Sequence, residues 1–157
     1  AVLLALPIIA SAQKFGHINT QELFAAMPEV AQVKLKMDTI QSQYENQLAS
    51  MNEEFQKKVQ DYQTQEATMA EAIKQIRQQE LQEMQQRIQL FYQTAEQDIQ
   101  KKQQELLAPV HEKMTKAIKA VGERDGYTYI FDSASVVHIG ADAIDATPAV
   151  KKELGIK

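Results

Sequence analysis

From Met37 onward the apolar residues recur as Met37, Ile40, Tyr44, Leu48, Met51, Phe55, Val59 and Tyr62, in steps of three or four that repeat every 11 residues. Such a helix is apolar along one stripe only. At about 3.67 residues per turn the stripe follows a relaxed helix, so a partner packs nearly straight or with a slight right-handed twist. The pattern returns as Met84, Ile88, Tyr92, Ala95 and Ile99, then Leu106, Val110, Met114, Ala117 and Val121, with Gln103 in the missing place. Two helices that each carry one apolar stripe bury it against each other. Neither Gly nor Pro interrupts the chain between Pro28 and Pro109, an interval far beyond the usual helix of about 11–12 residues. The stripe falters after Tyr62, and Thr68 followed by Glu71 has capping-box spacing. This predicts a helical hairpin over residues 28–109 with its tip near 68–70, reaching roughly 60 Å at ~1.5 Å per residue. One uninterrupted helix is the alternative.

Outside this interval the pattern changes. Lys14–Asn19 and Tyr127–Asp132 are rich in β-branched and aromatic residues and read as strands, and Val136–Ile139 reads as a third after the turn-like Ser133-Ala134-Ser135. Thr20 can cap a short helix over Thr20–Met27. Pro148 follows Thr147 at the start of a last helix that should stop at Gly155. Residues 13–27 and 110–157 therefore read as a small β/α body. Its few short strands leave open edges that pairing between several copies would close. The fold class is α+β and mostly helical: a long antiparallel hairpin projecting from a small β body completed by oligomerisation.

Composition narrows the function. The chain has 157 residues with a formal net charge of −4 and no Cys. That excludes disulfides and thiol chemistry, and it disfavours a nucleic-acid binder, which needs a basic face. The opening run AVLLALPIIA is apolar and too short to span a bilayer. With Ala10-Ser11-Ala12 behind it, it reads as a signal-peptide remnant over residues 1–12 cut between Ala12 and Gln13, against the alternative of a buried N-terminal element. Residues 75–104 contain twelve glutamines, yet the apolar period runs through them, which favours helix over a low-complexity tract. Residues 101–124 carry six basic side chains against three acidic ones. This is either a solvated helix face or a basic collar for acidic clients or anionic lipid.

Catalytic chemistry is missing. There is no P-loop, GxGxxG, GxSxG or HExxH motif, and His17, His111 and His138 have no ligand spacing. The reading is a non-enzyme without metal or cofactor. Apolar residues off the stripe, namely Leu35, Met69, Ile73, Ile76, Leu90, Phe91 and Leu107, are the available surface for promiscuous contact.

The segments FGHINTQELFAAMPEV, APVHEKMTKAIKAVGERDGYTYIFDSASVV and ATPAVKKELG, on either side of a long polar hairpin, resemble the Skp (OmpH-like) periplasmic chaperone family over nearly the whole chain. The resemblance implies a homotrimer with three helical tentacles around a cavity. It implies ATP-independent holding of unfolded outer-membrane proteins in the periplasm. Phe15, Ile18, Tyr129, Phe131, Val137 and Ile139 would then build the trimer body. Client contact would fall to Met51, Phe55, Tyr62, Met69, Ile73, Met84, Phe91 and Tyr92, with Lys101 and Lys102 from the basic stretch. Pro109 removes a helical hydrogen bond near the body and reads as a hinge. The best-known members are strongly basic and this chain is acidic, so no lipopolysaccharide site is carried over. The competing reading is a structural coiled-coil spacer or adaptor of the cell envelope.

Overall fold

The computed structural model describes residues 13–156. The expected signal-peptide remnant over residues 1–12 lies outside them. The element order is β1 (Phe15–Ile18), α1 (Thr20–Ala26), α2 (Pro28–Gln65), a 3-10 turn at Glu66–Thr68, α3 (Glu71–Arg124), β2 (Tyr129–Asp132), a 3-10 turn at Ser133–Ser135, β3 (Ile144–Asp145) and α4 (Thr147–Leu154). Two compact units result: Ala31–Leu107, and the described residues up to Val30 together with those from Ala108 onward.

In the second of these units β1 is central and both neighbours run parallel to it, in the order β2-β1-β3. The third strand is therefore Ile144–Asp145. The expected strand at Val136–Ile139 does not form. Asp132 Oδ1 accepts from the Ala134 amide at 3.2 Å, which turns the chain into the 3-10 turn. Val136–Ile139 then has no strand neighbour, and the free edge of β1 is taken further on, with the Ala146 amide donating to the His17 carbonyl at 2.8 Å.

Helix ends follow local chemistry. Asn19, not Thr20, caps α1: its side-chain oxygen accepts from the Glu22 amide at 3.0 Å. Thr20 is free to donate its hydroxyl to Asp132 at 2.6 Å, because a cap oxygen one residue earlier already serves the first turn. Helices α3 and α4 both stop with a glycine at φ 70° (Gly126 and Gly155), a left-handed conformation that costs glycine little. In each case the next amide reaches five residues back, Tyr127 to Gly122 and Ile156 to Lys151, as in a Schellman ending. The core of this unit is Ile18, Leu23, Met27, Val110, Met114, Ala117, Val121, Ala146, Val150 and Leu154. The end of the α3 stripe thus belongs to this core. Within this unit Thr147 ties α4 to β1, accepting from the Asn19 amide and donating its own amide to Asp145.

The unit Ala31–Leu107 is a pair of antiparallel helical arms. Tyr62 accepts from Gln78 at 2.7 Å, and farther from the turn Tyr44 donates to Asp98 at 2.5 Å; contacts that recede symmetrically from the turn are what antiparallel arms require. The turn itself is not a capping box. The Thr68 hydroxyl donates backward to the Gln65 carbonyl at 3.1 Å, and the Ala70 carbonyl accepts the first amide bonds of α3. The short 3-10 turn occupies Thr68 before α3 begins, so its side chain cannot serve as the cap. Every stripe position of the first arm from Met37 to Tyr62 is half-buried, and the positions between them are exposed except Lys58. That is the signature of contact with one partner helix only.

Candidate functional site

Two surfaces stand out, one in each unit. In the hairpin unit the stripe of the second arm departs from simple spacing. Phe91 turns inward, its ring 5.9 Å from that of Tyr44, and Tyr92 is left 51% exposed. Farther along, Asp98 and Ile99 are half-buried together and Lys102 is half-buried in place of Gln103. The cause is Tyr44. Its ring needs an aromatic neighbour and its hydroxyl needs an acceptor, and Phe91 and Asp98, seven residues or two turns apart, supply both on one helix face.

The expected client-contact residues are consequently dispersed. Met51, Phe55, Tyr62, Met69 and Phe91 are half-buried, and Met84 is enclosed at 7% exposure. Ile73 and Tyr92 point outward, joined by Leu35, Ile76 and Leu90, the last 63% exposed. Leu35, Ile76 and Leu90 carry a readable signal, since each lies off the stripe, but spacing alone assigns them no role. A cleft of about 250 Å³ opens between the arms over Tyr44, Leu48, Phe91, Ala95 and Ile99.

Three of the nine basic side chains of this unit stand in ion pairs. Lys101 and Lys102 lie 3.8 and 3.3 Å from Glu105, and Arg77 lies 3.0 Å from Glu80. Exposed pairs of this kind are worth about 0–1 kcal/mol each and temper the field of the lysines more than they stiffen the helix. The hydrogen bond to Asp98, then burial and the nearby charge, hold the Tyr44 phenol above its ordinary range; Tyr92 is raised in the same way by Glu96.

In the other unit the sheet separates its two faces by residue parity. Gly16 and Ile18 turn to the core, and Ile18 is 3% exposed. Phe15, Tyr129 and Phe131 share the opposite face, exposed and stacked on one another with centroids 5.8–6.4 Å apart. Val137 and Ile139 are also exposed, in the irregular segment after β2. An open hollow of about 500 Å³ lies beside this face, lined by Phe15, Phe131, Ile139 and Ile144 among others. Of the six residues expected to build an oligomer body, five are thus free at the surface and Ile18 is committed to the chain's own core. Pro109 sits inside α3, which remains one helix through it. Four basic residues of this unit are in ion pairs: Lys113 with Glu29, Lys116 with Glu112 at 2.6 Å, Lys151 with Glu22, and Arg124 with Asp125 and Glu153. No group of three or more His, Cys, Asp or Glu side chains among the described residues is placed to hold a metal ion. No helix among them is long and apolar enough to cross a membrane.

This geometry offers surfaces for apolar contact in both units. The family described as outer membrane protein (OmpH-like) matches residues 14–154. The chaperone protein Skp of Pectobacterium atrosepticum is 25% identical over 153 residues, which is 98% of this chain and 92% of that one. A crystal structure from Caulobacter crescentus CB15, described as an outer membrane chaperone (OmpH-like), superposes with a TM-score of 0.81 over 90% of this chain and 83% of that one. At 17% identity that likeness speaks for the fold alone. With most of its length matched, from the residue before β1 to the last residue of α4, the chain belongs to the OmpH-like outer membrane protein family, a chaperone family.

Proposed function

We propose that the protein is an ATP-independent periplasmic holdase. It binds unfolded outer-membrane proteins in a cavity between the hairpins of a homotrimer and keeps them from aggregating. The observation that carries this reading is the set of apolar side chains left outside the arm-to-arm contact: Leu35, Ile73, Ile76, Leu90 and Tyr92. Large apolar groups spread along a helical surface favour many weak, interchangeable contacts over one tight pocket. Holding and releasing an unfolded chain requires that kind of surface. Lys101 and Lys102 add a peripheral contact for acidic client segments or anionic lipid, weakened by their shared partner Glu105.

The homotrimer has its support in the exposed Phe15, Tyr129 and Phe131, a stacked aromatic face on a three-stranded sheet with open edges. Pro109 would act as a hinge in α3, since its ring displaces one backbone hydrogen bond there.

The test is aggregation. A urea-unfolded outer-membrane β-barrel is diluted into buffer with and without the purified protein while light scattering is followed. Suppressed scattering is the expected result; scattering equal to buffer alone would leave a structural spacer as the better reading. Chromatography with light-scattering detection should give three times the chain mass, and Tyr129→Ser with Phe131→Ser should return the mass to one chain. A mass of one chain in the unaltered protein would remove the trimer.

A further inference from the structure

The hairpin cleft has a chemical character of its own. Its floor is apolar, made by Tyr44, Leu48, Phe91, Ala95 and Ile99, and Glu45 and Glu96 stand at its rim. The Tyr44 hydroxyl bonds to Asp98 and the Gln41 amide to Glu45 at 2.8 Å, and the nearest partner of Glu96 is the Tyr92 phenol, which it holds above its ordinary range. All of these partners are neutral. Among the described residues no ion pair engages Glu45, Glu96 or Asp98, and Lys101 and Lys102, the basic residues next along the second arm, are both turned to Glu105. The surrounding sequence deepens the imbalance: residues 38–56 hold four carboxylates and no Lys or Arg, and residues 83–98 hold three carboxylates against Arg87 alone.

At about 250 Å³ the cleft admits one large apolar side chain, and it lies below the ~300–1,000 Å³ of sites that enclose a drug-sized ligand. An extended polypeptide places residues i and i+2 on the same side, roughly 7 Å apart. A side chain seated on Phe91 and Ala95 therefore carries its i±2 neighbours toward the rim. Acidic neighbours would meet uncompensated carboxylates there, and lysine or arginine would neutralise them.

We propose that this cleft is a docking site for unfolded segments in which an aromatic or large aliphatic residue is flanked, two positions away, by Lys or Arg. The proposal rests on the holdase reading and sharpens it: clients of this chain are selected for basic-apolar segments. The apolar anchor supplies most of the affinity and Glu45 and Glu96 supply the choice, since exposed charges act on selectivity and association rate more than on raw affinity.

Two fluorescein-labelled, unstructured peptides of equal length and equal Phe content serve as probes. One carries Lys, the other Glu, two positions to either side of each Phe. Fluorescence anisotropy with the full chain at low salt should show the Lys peptide binding about fivefold tighter or more, and the gap should close near 1 M salt, where the screening length is ~3 Å. The double variant Glu45→Gln with Glu96→Gln, both at exposed positions and with the cleft floor intact, should erase the preference. Circular dichroism melting checks that it folds. Equal binding of the two peptides, or a preference that survives the double variant, overturns the proposal. The same variant run in the β-barrel scattering assay separates the two claims: retained suppression leaves the holdase standing whether or not the charge preference is found.

Discussion

The Tyr44 hydroxyl donates to the Asp98 carboxylate at 2.5 Å, bonding one arm of the hairpin to the other through side chains 54 positions apart. Replacing Tyr44 with Phe keeps the ring against Phe91 and removes only this bond, leaving Asp98 to water. The melting temperature should fall by a few degrees at neutral pH, measured by circular dichroism. The phenol is raised above its ordinary value of about 10, so its contribution is complete below that pH and is lost as pH climbs through the raised value. The difference between wild type and Tyr44→Phe should therefore shrink in alkaline buffer. A difference that stays constant to high pH would show that the bond contributes nothing through the proton.

Leu23 is fully enclosed in the unit that holds the sheet, alongside Met27, Val121 and Val150. Leu23→Ala leaves a cavity that the surrounding helices cannot close, and should cost about 2–5 kcal/mol in urea unfolding. A loss below ~1 kcal/mol would mean that this core is looser than its burial indicates.

Thr20 donates to Asp132, and this bond is the main reason the carboxyl sits below the usual aspartate range; burial works against it and amide bonds from Ala134 and Thr20 assist. A depressed carboxyl stabilises the fold above its unfolded pKa, and the effect disappears as pH falls through the folded value. Thr20→Val should move the titration of the Asp132 carboxyl resonance upward, toward the ordinary aspartate range. The stability gap between Thr20→Val and wild type should be widest at neutral pH and narrow in acid. An unmoved titration would remove Thr20 as the cause.

Gly16 has no room for a side chain. A Cβ there would stand 2.6 Å from Tyr127 Cε1 and 3.4 Å from the Ile144 carbonyl oxygen. Tyr127 would have to swing away, and with it the ring that carries the Lys14 ammonium 4.1 Å from its centroid. Gly16→Ala should cost about 1–3 kcal/mol, and Gly16→Ala with Tyr127→Ala should cost less than the two single changes together. Additive costs would show that the two sites do not meet.

Sequence spacing reaches as far as local physics does. The first arm is readable because its stripe needs only one neighbouring helix to bury it, and Gly126 and Gly155 are readable because helix endings with positive φ are a property of the chain itself. Phe91 and Tyr92 show where this stops. Both are aromatic and adjacent, and the period alone favours Tyr92 for the inside. Only the position of Tyr44 on the opposite arm selects Phe91.

What the chain determines by itself, then, is helical content, the stripe of the first arm, the glycine helix stops and the absence of recognisable catalytic motifs, since each depends on residues within a few positions of one another. The tertiary structure decided what depends on distant partners. Ile144–Asp145 and not Val136–Ile139 completes the sheet, because His17 offers its carbonyl to the Ala146 amide. Ile18 goes to the core while Phe15, Tyr129 and Phe131 are stacked outside, because parallel pairing with β2 places like parity on one face. The acidic rim surrounds an apolar cleft because two arms, separated along the chain by their turn, bring Glu45 and Glu96 to the same opening.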